Sequence, residues 1–242
     1  MYVLGIIPAR YNSSRFPGKP LLDLEGKSMI HRVYERVVDS DLFQEVVVAT
    51  DDVRIYNHVL DFGGKVLMTS ESHSTGTDRC AEVIQQFPEA EIVVNIQGDE
   101  PLISGKQLAS LLEIMHREEV QIGTLVIPFQ SLQEVENNNR IKVVTDANGK
   151  VLYFSRSVIP NVEKWNTNAE AMDFLKHIGV YAFRRDVLIE VAQLEVTELE
   201  KMESLEQLRW LYHGYSIHIA KTTIETPNID TPEDVQKVLD LL

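Results

Sequence analysis

Apolar residues along this chain fall into two alternating patterns. Short β-branched runs, "VLGIIPA" (3–9), "EVVVATD" (45–51), "KVLMT" (65–69) and "EIVVNIQ" (91–97), have the length and composition of buried strands. Longer stretches with helical spacing lie between and after them. Residues 28–39 place Met29, Val33, Arg36 and Val37 one turn apart, with Ile30 and Tyr34 widening the face. "STGTDRCAEVIQQF" (74–87) opens on Ser, Thr, Gly and Asp before an apolar periodic run, which signals a helix N-terminus. A further helix is predicted over 104–118. Strands and helices in this alternation build βαβ units around a mostly parallel sheet.

The pattern changes after residue 140. "IKVVTDANGKVLYFSR" (141–156) is two alternating runs around Ala147-Asn148-Gly149, the signature of a β-hairpin. "HIGVYAF" (177–183) reads as a strand, 203–213 as a helix and "YSIHIAKTTIE" (215–225) as an edge or returning strand. "DTPEDVQKVLDLL" closes the chain as a helix, with Asp230 or Thr231 as cap, Pro232 at the first helical position, and Glu233 and Asp234 in the first turn. The expected fold is α/β: a Rossmann-like mixed, mainly parallel sheet flanked by helices, one domain over 1–242 with a β-rich lobe embedded at 130–185. There is no internal repeat and no low-complexity linker.

At 242 residues, 44% hydrophobic and 25% charged, the chain is long enough for a sizeable core. Its formal charge of −14 repels nucleic acid and anionic membranes over most of the surface. The single cysteine, Cys80, excludes an intramolecular disulfide and a cysteine-based metal cluster. With no leader pattern at the N-terminal apolar run, a cytoplasmic location is expected.

Against that acidic background, "IIPARYNSSRFPGKPL" (6–21) gathers Arg10, Arg15 and Lys19 with no carboxylate in the first 22 residues. Clustered cations repel one another unless an anion joins them, so a strongly negative ligand is implied. In open α/β sheets, ligands bind beyond the carboxyl ends of the strands. The first strand runs into these cations, and the fourth runs into Gly98-Asp99-Glu100-Pro101. If the two strands are parallel neighbours, a basic cradle faces a carboxylate pair, an arrangement suited to a nucleoside triphosphate with Mg²⁺. The chain has no G-x-G fingerprint, and Gly18-Lys19-Pro20 lacks the features of a P-loop.

The motifs "IIPARYNSSRFPGKPLLDLEGKSMI", "VVVATDD", "TGTDR", "NIQGDEPLI", "YFSRSVIP", "KHIGVYAF", "LEQLR" and "DTPEDV" occur in that order, and together they resemble the 3-deoxy-manno-octulosonate (Kdo) cytidylyltransferases. The likeness runs from about residue 3 to residue 238. It implies coupling of CTP to the anomeric hydroxyl of Kdo, with release of pyrophosphate, for lipopolysaccharide biosynthesis. It further implies Mg²⁺-assisted in-line attack on the α-phosphate, and a homodimer through the hairpin lobe. By the same resemblance, Arg10, Lys19 and Asp99 are catalytic. Pro8, Ala9, Arg10, Arg15, Lys19, Ser74, Thr75, Gly76, Thr77 and Arg79 bind the nucleotide. Gln97, Arg156, His177, Tyr181, Glu206 and Gln207 face the sugar acid, and Asp99 and Asp230 hold the metal. A cytidylyltransferase for another nonulosonic or amino-substituted sugar acid is the alternative. Taken alone, "GDEP" reads as a turn and Asp230 as a helix cap; the resemblance singles out Asp99, not Glu100.

Overall fold

In a computed structural model, the chain is described at residues 1–12, 16–161, 174–227, 229 and 231–242. Its elements in order are β1 (Val3–Ala9), β2 (Asp23–Leu24), β3 (Lys27–Ser28), α1 (Met29–Val38), β4 (Glu45–Thr50), α2 (Val53–Asp61), β5 (Val66–Met68), α3 (Gly76–Val83), β6 (Ile92–Asn95) and α4 (Gly105–Ile114). There follow β7 (Ile122–Pro128), α5 (Leu132–Glu136), β8 (Lys142–Thr145), β9 (Val151–Ser155), β10 (Leu175–Arg184), α6 (Arg185–Val191), α7 (Glu198–Glu203), α8 (Gln207–Tyr212), β11 (Ile217–Lys221) and α9 (Asp234–Leu239). The pairings are mixed and mainly parallel, as the alternation predicts.

Two compact units form. The first comprises Met1–Ala109, Ala182–Ala192 and Thr226–Leu242. Its strands run in the order β6-β1-β4-β5, all parallel. Leu4, Ile6, Val48 and Val94 on these strands are fully buried, as continuous apolar runs covered on both faces should be. Helix α1 starts where Ser28 Oγ accepts from the His31 N–H at 3.2 Å. It buries Met29, Ile30, Val33 and Val37 completely, burial that contributes about 6–12 kcal/mol. Leu24, Met29, Leu102, Ile229 and Val238 form a second apolar cluster in this unit.

The second unit comprises Ser110–Tyr181 and Gln193–Glu225, and its first segment encloses most of 130–185. Here β7 and β11 pair in parallel, whereas β8 pairs antiparallel with both β9 and β10. The predicted hairpin is present. Gly149 sits at φ 79°, and the Asp146 carboxylate accepts from the N–H groups of Asn148 and Lys150 at 2.8 and 2.9 Å, which closes the turn.

Three expectations are corrected. The helix predicted over 203–213 is shorter, running from Gln207 to Tyr212 as α8; Glu203 instead ends α7, where Ser204 adopts a left-handed conformation, φ 51°. The last helix begins at Asp234 instead of 232: Asp234 Oδ2 accepts from the Thr231 N–H at 3.0 Å and holds the preceding turn. The helix predicted over 104–118 stops at Ile114, and 115–117 continues as turns.

Candidate active site

Strands β1 and β6 are parallel neighbours, with Ile6 opposite Asn95, so their carboxyl ends deliver segments 8–12 and 97–99 side by side. These segments line a cleft of about 460 Å³ through Pro8, Ala9, Arg10, Asn12, Gln97, Gly98 and Asp99, joined by Lys19, Pro20 and Gly76. Position 98 must be glycine, since a Cβ there would lie 2.9 Å from the Pro8 carbonyl oxygen. Gly18, at φ 73°, donates its N–H to the Tyr11 carbonyl at 2.9 Å and closes the loop that presents Lys19.

The Lys19 ammonium then donates to Asp99 Oδ2 and to the Ile229 carbonyl, each at 2.7 Å. Ile229 is fully buried in the second apolar cluster, and its N–H donates to the Asp99 carbonyl at 3.1 Å. One cation thus gathers the acidic loop and the segment leading to position 230. Arg10 Nη1 donates to the Ser74 carbonyl at 3.0 Å, which ties the basic loop to the one before α3.

Around α3, Thr75 keeps its hydroxyl occupied as a cap: it accepts from the Asp78 N–H while the Asp78 carboxylate accepts from the Thr75 N–H. Gly76 lines the cleft. Thr77 and Arg79 do not, because both are buried in the core. Arg79 donates to Asp51 Oδ2 at 2.7 Å and to Thr69 Oγ1, so it shapes the loop from within. Glu100, beside Asp99, is also buried. Desolvation, followed by the Asp99 charge, pushes its carboxyl up to about 8.

The second unit holds five of the six residues expected to face the sugar acid. His177 Nε2 lies 3.0 Å from Thr124 Oγ1, and its ring meets Phe154 edge-on at 5.1 Å and Tyr181 at 5.3 Å. Tyr181 in turn packs edge-on against Trp210 at 5.0 Å. Burial pushes the His177 imidazole down to about 3, so it is neutral at physiological pH. The Tyr181 hydroxyl is raised well above its usual value by burial and by the nearby Glu206 charge. Glu206 and Gln207 sit at the start of α8. Arg156 donates to three backbone carbonyls, those of Glu203 (2.6 Å), Asn138 (3.2 Å) and Ser204 (3.3 Å). Three of its five N–H groups are engaged there, and no carboxylate neutralises its guanidinium in these contacts. Thr124, Phe154 and Trp210, which pack around His177 and Tyr181, are not singled out by sequence reasoning. Gln97, the sixth residue, lines the cleft of the first unit. Arg15 and Asp230 lie outside the described residues.

A family model described as cytidylyltransferase matches residues 4–221. The chain is 50% identical to a 3-deoxy-manno-octulosonate cytidylyltransferase of Parabacteroides distasonis, covering 100% of this chain and 98% of that one. The chain belongs to the 3-deoxy-manno-octulosonate cytidylyltransferase family. A second relative so named, from Cytophaga hutchinsonii, is 47% identical over 98% of this chain and 96% of its own. A solved CMP:2-keto-3-deoxy-manno-octonic acid synthetase complexed with CTP superposes with a TM-score of 0.93 at 43% identity, covering 100% of this chain and 98% of that one. Cations beside a carboxylate at the ends of two neighbouring parallel strands put positive charge where a nucleoside triphosphate would need it neutralised.

Proposed function

We propose that this chain transfers the cytidylyl group of CTP to 3-deoxy-D-manno-octulosonate, giving CMP-Kdo and pyrophosphate. The observation that carries the reading is the Lys19–Asp99 contact of 2.7 Å at the mouth of a cleft that Arg10 also lines. The anomeric hydroxyl oxygen of Kdo forms a bond to the α-phosphorus in line with the bond to the β-phosphate oxygen. That second bond breaks, pyrophosphate leaves with its electron pair, and the hydroxyl proton passes to solvent. No covalent enzyme intermediate is needed. Arg10 and Lys19 neutralise the triphosphate, with Arg15 as a third cation and the backbone at Pro8 and Ala9 alongside the nucleotide. Arg156 offers its two remaining N–H groups to the sugar carboxylate. His177, being neutral, contributes a hydrogen bond and not a charge.

Mg²⁺ fits these residues. The Asp99 carboxylate and the Ile229 carbonyl already direct oxygens at a single cationic group, the Lys19 ammonium, and oxygen donors are what a hard divalent ion prefers. When bound, the ion supplies charge neutralisation and lowers the pKa of the attacking hydroxyl. Asp99 would hold it, with Asp230 as the second carboxylate.

The same reading includes a homodimer through the hairpin, supported by Leu152 on β9, which is 61% exposed. A monomeric mass at micromolar concentration would remove that element. The substrates are small molecules, and no described helix is long and apolar enough to cross a membrane. Because the reaction consumes CTP, the reading places the enzyme in the cytoplasm. A substrate panel tests the acceptor: kcat/KM for Kdo should exceed that for N-acetylneuraminate and for amino-substituted sugar acids by at least about a hundredfold. Preference for one of the others would replace Kdo as the substrate.

A further inference from the structure

The loop between β5 and α3 carries Ser74, whose carbonyl receives Arg10, and Thr75, which caps the helix that places Gly76 in the cleft. What holds the front of that loop is a residue to which no role in the site has been given. Glu82, on the last turn of α3, accepts from the Ser70 N–H at 2.9 Å and also contacts His73 Nε2. These contacts span twelve and nine residues of chain, so one carboxylate closes the loop on itself. Three residues earlier on the same helix, Arg79 Nη1 reaches the Ser70 carbonyl at 3.4 Å and Arg79 Nη2 reaches Asp51. Ser70 is therefore gripped at both its N–H and its C=O by adjacent turns of α3, and its hydroxyl contacts Ser72 Oγ at 2.7 Å within the loop.

We infer that Glu82 is a positioning residue of the nucleotide site: by pinning Ser70 and His73 to α3 it fixes the Ser74 carbonyl, and through it the Arg10 guanidinium, at the edge of the cleft. Arg79 cannot do this alone. Its side chain is fully buried and holds the start of the loop at Thr69 and Ser70, whereas His73, the residue next to Ser74, is held by Glu82. The donors around the Glu82 carboxylate, with the Ser70 N–H first and His73 after it, keep the group below the usual carboxylate range. It is therefore ionised at neutral pH. A freed loop would let Arg10 sample orientations that miss the triphosphate, and CTP would lose affinity while the sugar acid would not.

The inference rests on the nucleotide-site reading, and the test separates the two. The dissociation constant for CTP is measured by calorimetry, alongside kcat and both KM values, for wild type, Glu82→Ala, Glu82→Gln and His73→Gln. Removing hydrogen bonds to a charged group should weaken CTP about five- to tenfold in Glu82→Ala, with the KM for Kdo within about twofold of wild type. Glu82→Gln retains an acceptor oxygen for Ser70 and should recover most of the loss. His73→Gln, at a partly exposed side chain, should show an intermediate loss and stands in should Glu82→Ala fail to fold. CTP binding unchanged in Glu82→Ala and His73→Gln would overturn the role of Glu82, as would parallel losses for CTP and Kdo or a Gln variant no better than Ala. Wild-type protein that binds no CTP would instead overturn the nucleotide-site reading itself.

Discussion

Replacing Gly98 by alanine tests whether the cleft depends on close contact between the ends of β1 and β6. The added Cβ would sit 2.9 Å from the Pro8 carbonyl oxygen, and ordinary contact begins near 3.4 Å, so the two segments must separate by about 0.5 Å. Neither side yields easily. The near group is backbone, Pro8 lies in a strand paired on both edges, and Gly98 is followed by Asp99, which is tied to Lys19. Overpacking of this kind destabilises by about 1–3 kcal/mol, which for a chain of this length lowers Tm by about 2–12 °C. The larger effect falls on chemistry, because the displaced segments carry Pro8, Ala9 and Arg10 on one side and Gln97 and Asp99 on the other. A misplacement of about half an ångström among reacting groups should lower kcat roughly tenfold. Thermal unfolding and pyrophosphate release, measured on the same preparation, report the two effects separately. A G98A enzyme with wild-type Tm and wild-type kcat would refute the steric argument.

Other substitutions probe individual roles. Asp99→Asn should abolish turnover at ordinary Mg²⁺ while circular dichroism shows an intact fold; near-normal activity would end its assignment as a cation ligand. Lys19→Ala should reduce kcat about ten- to a thousandfold, and unchanged kinetics would return Lys19 to an ordinary loop lysine. Arg156→Lys should raise the KM for the sugar acid far more than that for CTP, since a point charge cannot reproduce the fork; equal effects would mean that Arg156 serves only the backbone carbonyls it holds. His177 is lowered in the folded chain to about 3 from its ordinary 6.5, by burial. The unfolded chain therefore binds the extra proton first, so stability is fully present above pH 6.5 and declines as pH falls toward about 3. Urea midpoints at pH 7.5 and pH 5 should differ more in wild type than in His177→Gln, and equal differences would contradict the buried neutral imidazole.

Much of the first unit was legible because its strands are uninterrupted β-branched runs and its helices carry caps. The N-terminus signalled at 74–78 is capped by Thr75 in the structure, and Ser28 caps α1. The adjacency of the first and fourth strands was a condition of the sequence reading, and the β1–β6 pairing meets it. Strand β7 was not read, because Gly123 and Thr124 interrupt its apolar run. Gly123 leaves room for Leu111, Ile114 and Met115, whose side chains would lie 3.1 Å from a Cβ there, and the Thr124 hydroxyl bonds the Val180 carbonyl at 2.9 Å. Helix α2 was missed because only Ile55 and Val59 of its face are buried. The break at Ser204 has no signal in a stretch rich in good helix formers. It becomes intelligible only with Arg156 on the Ser204 carbonyl, 48 residues away in sequence.

In the site, sequence pattern placed the cations and the Asp99–Glu100 pair at strand ends, and the family resemblance chose Asp99. It could not show that Lys19 also bonds the Ile229 carbonyl, a contact across 210 residues. Nor could it show that Arg79 turns inward to Asp51: the resemblance put it among the nucleotide-binding residues, and only the fold places a carboxylate beneath it.

The most direct test of the central claim is pyrophosphate release from CTP and Mg²⁺, with and without Kdo, with mass spectrometry of the nucleotide product. Release that requires Kdo and yields CMP-Kdo stoichiometrically is the predicted result. Release without acceptor, or no release with Kdo by protein that binds CTP, would contradict it.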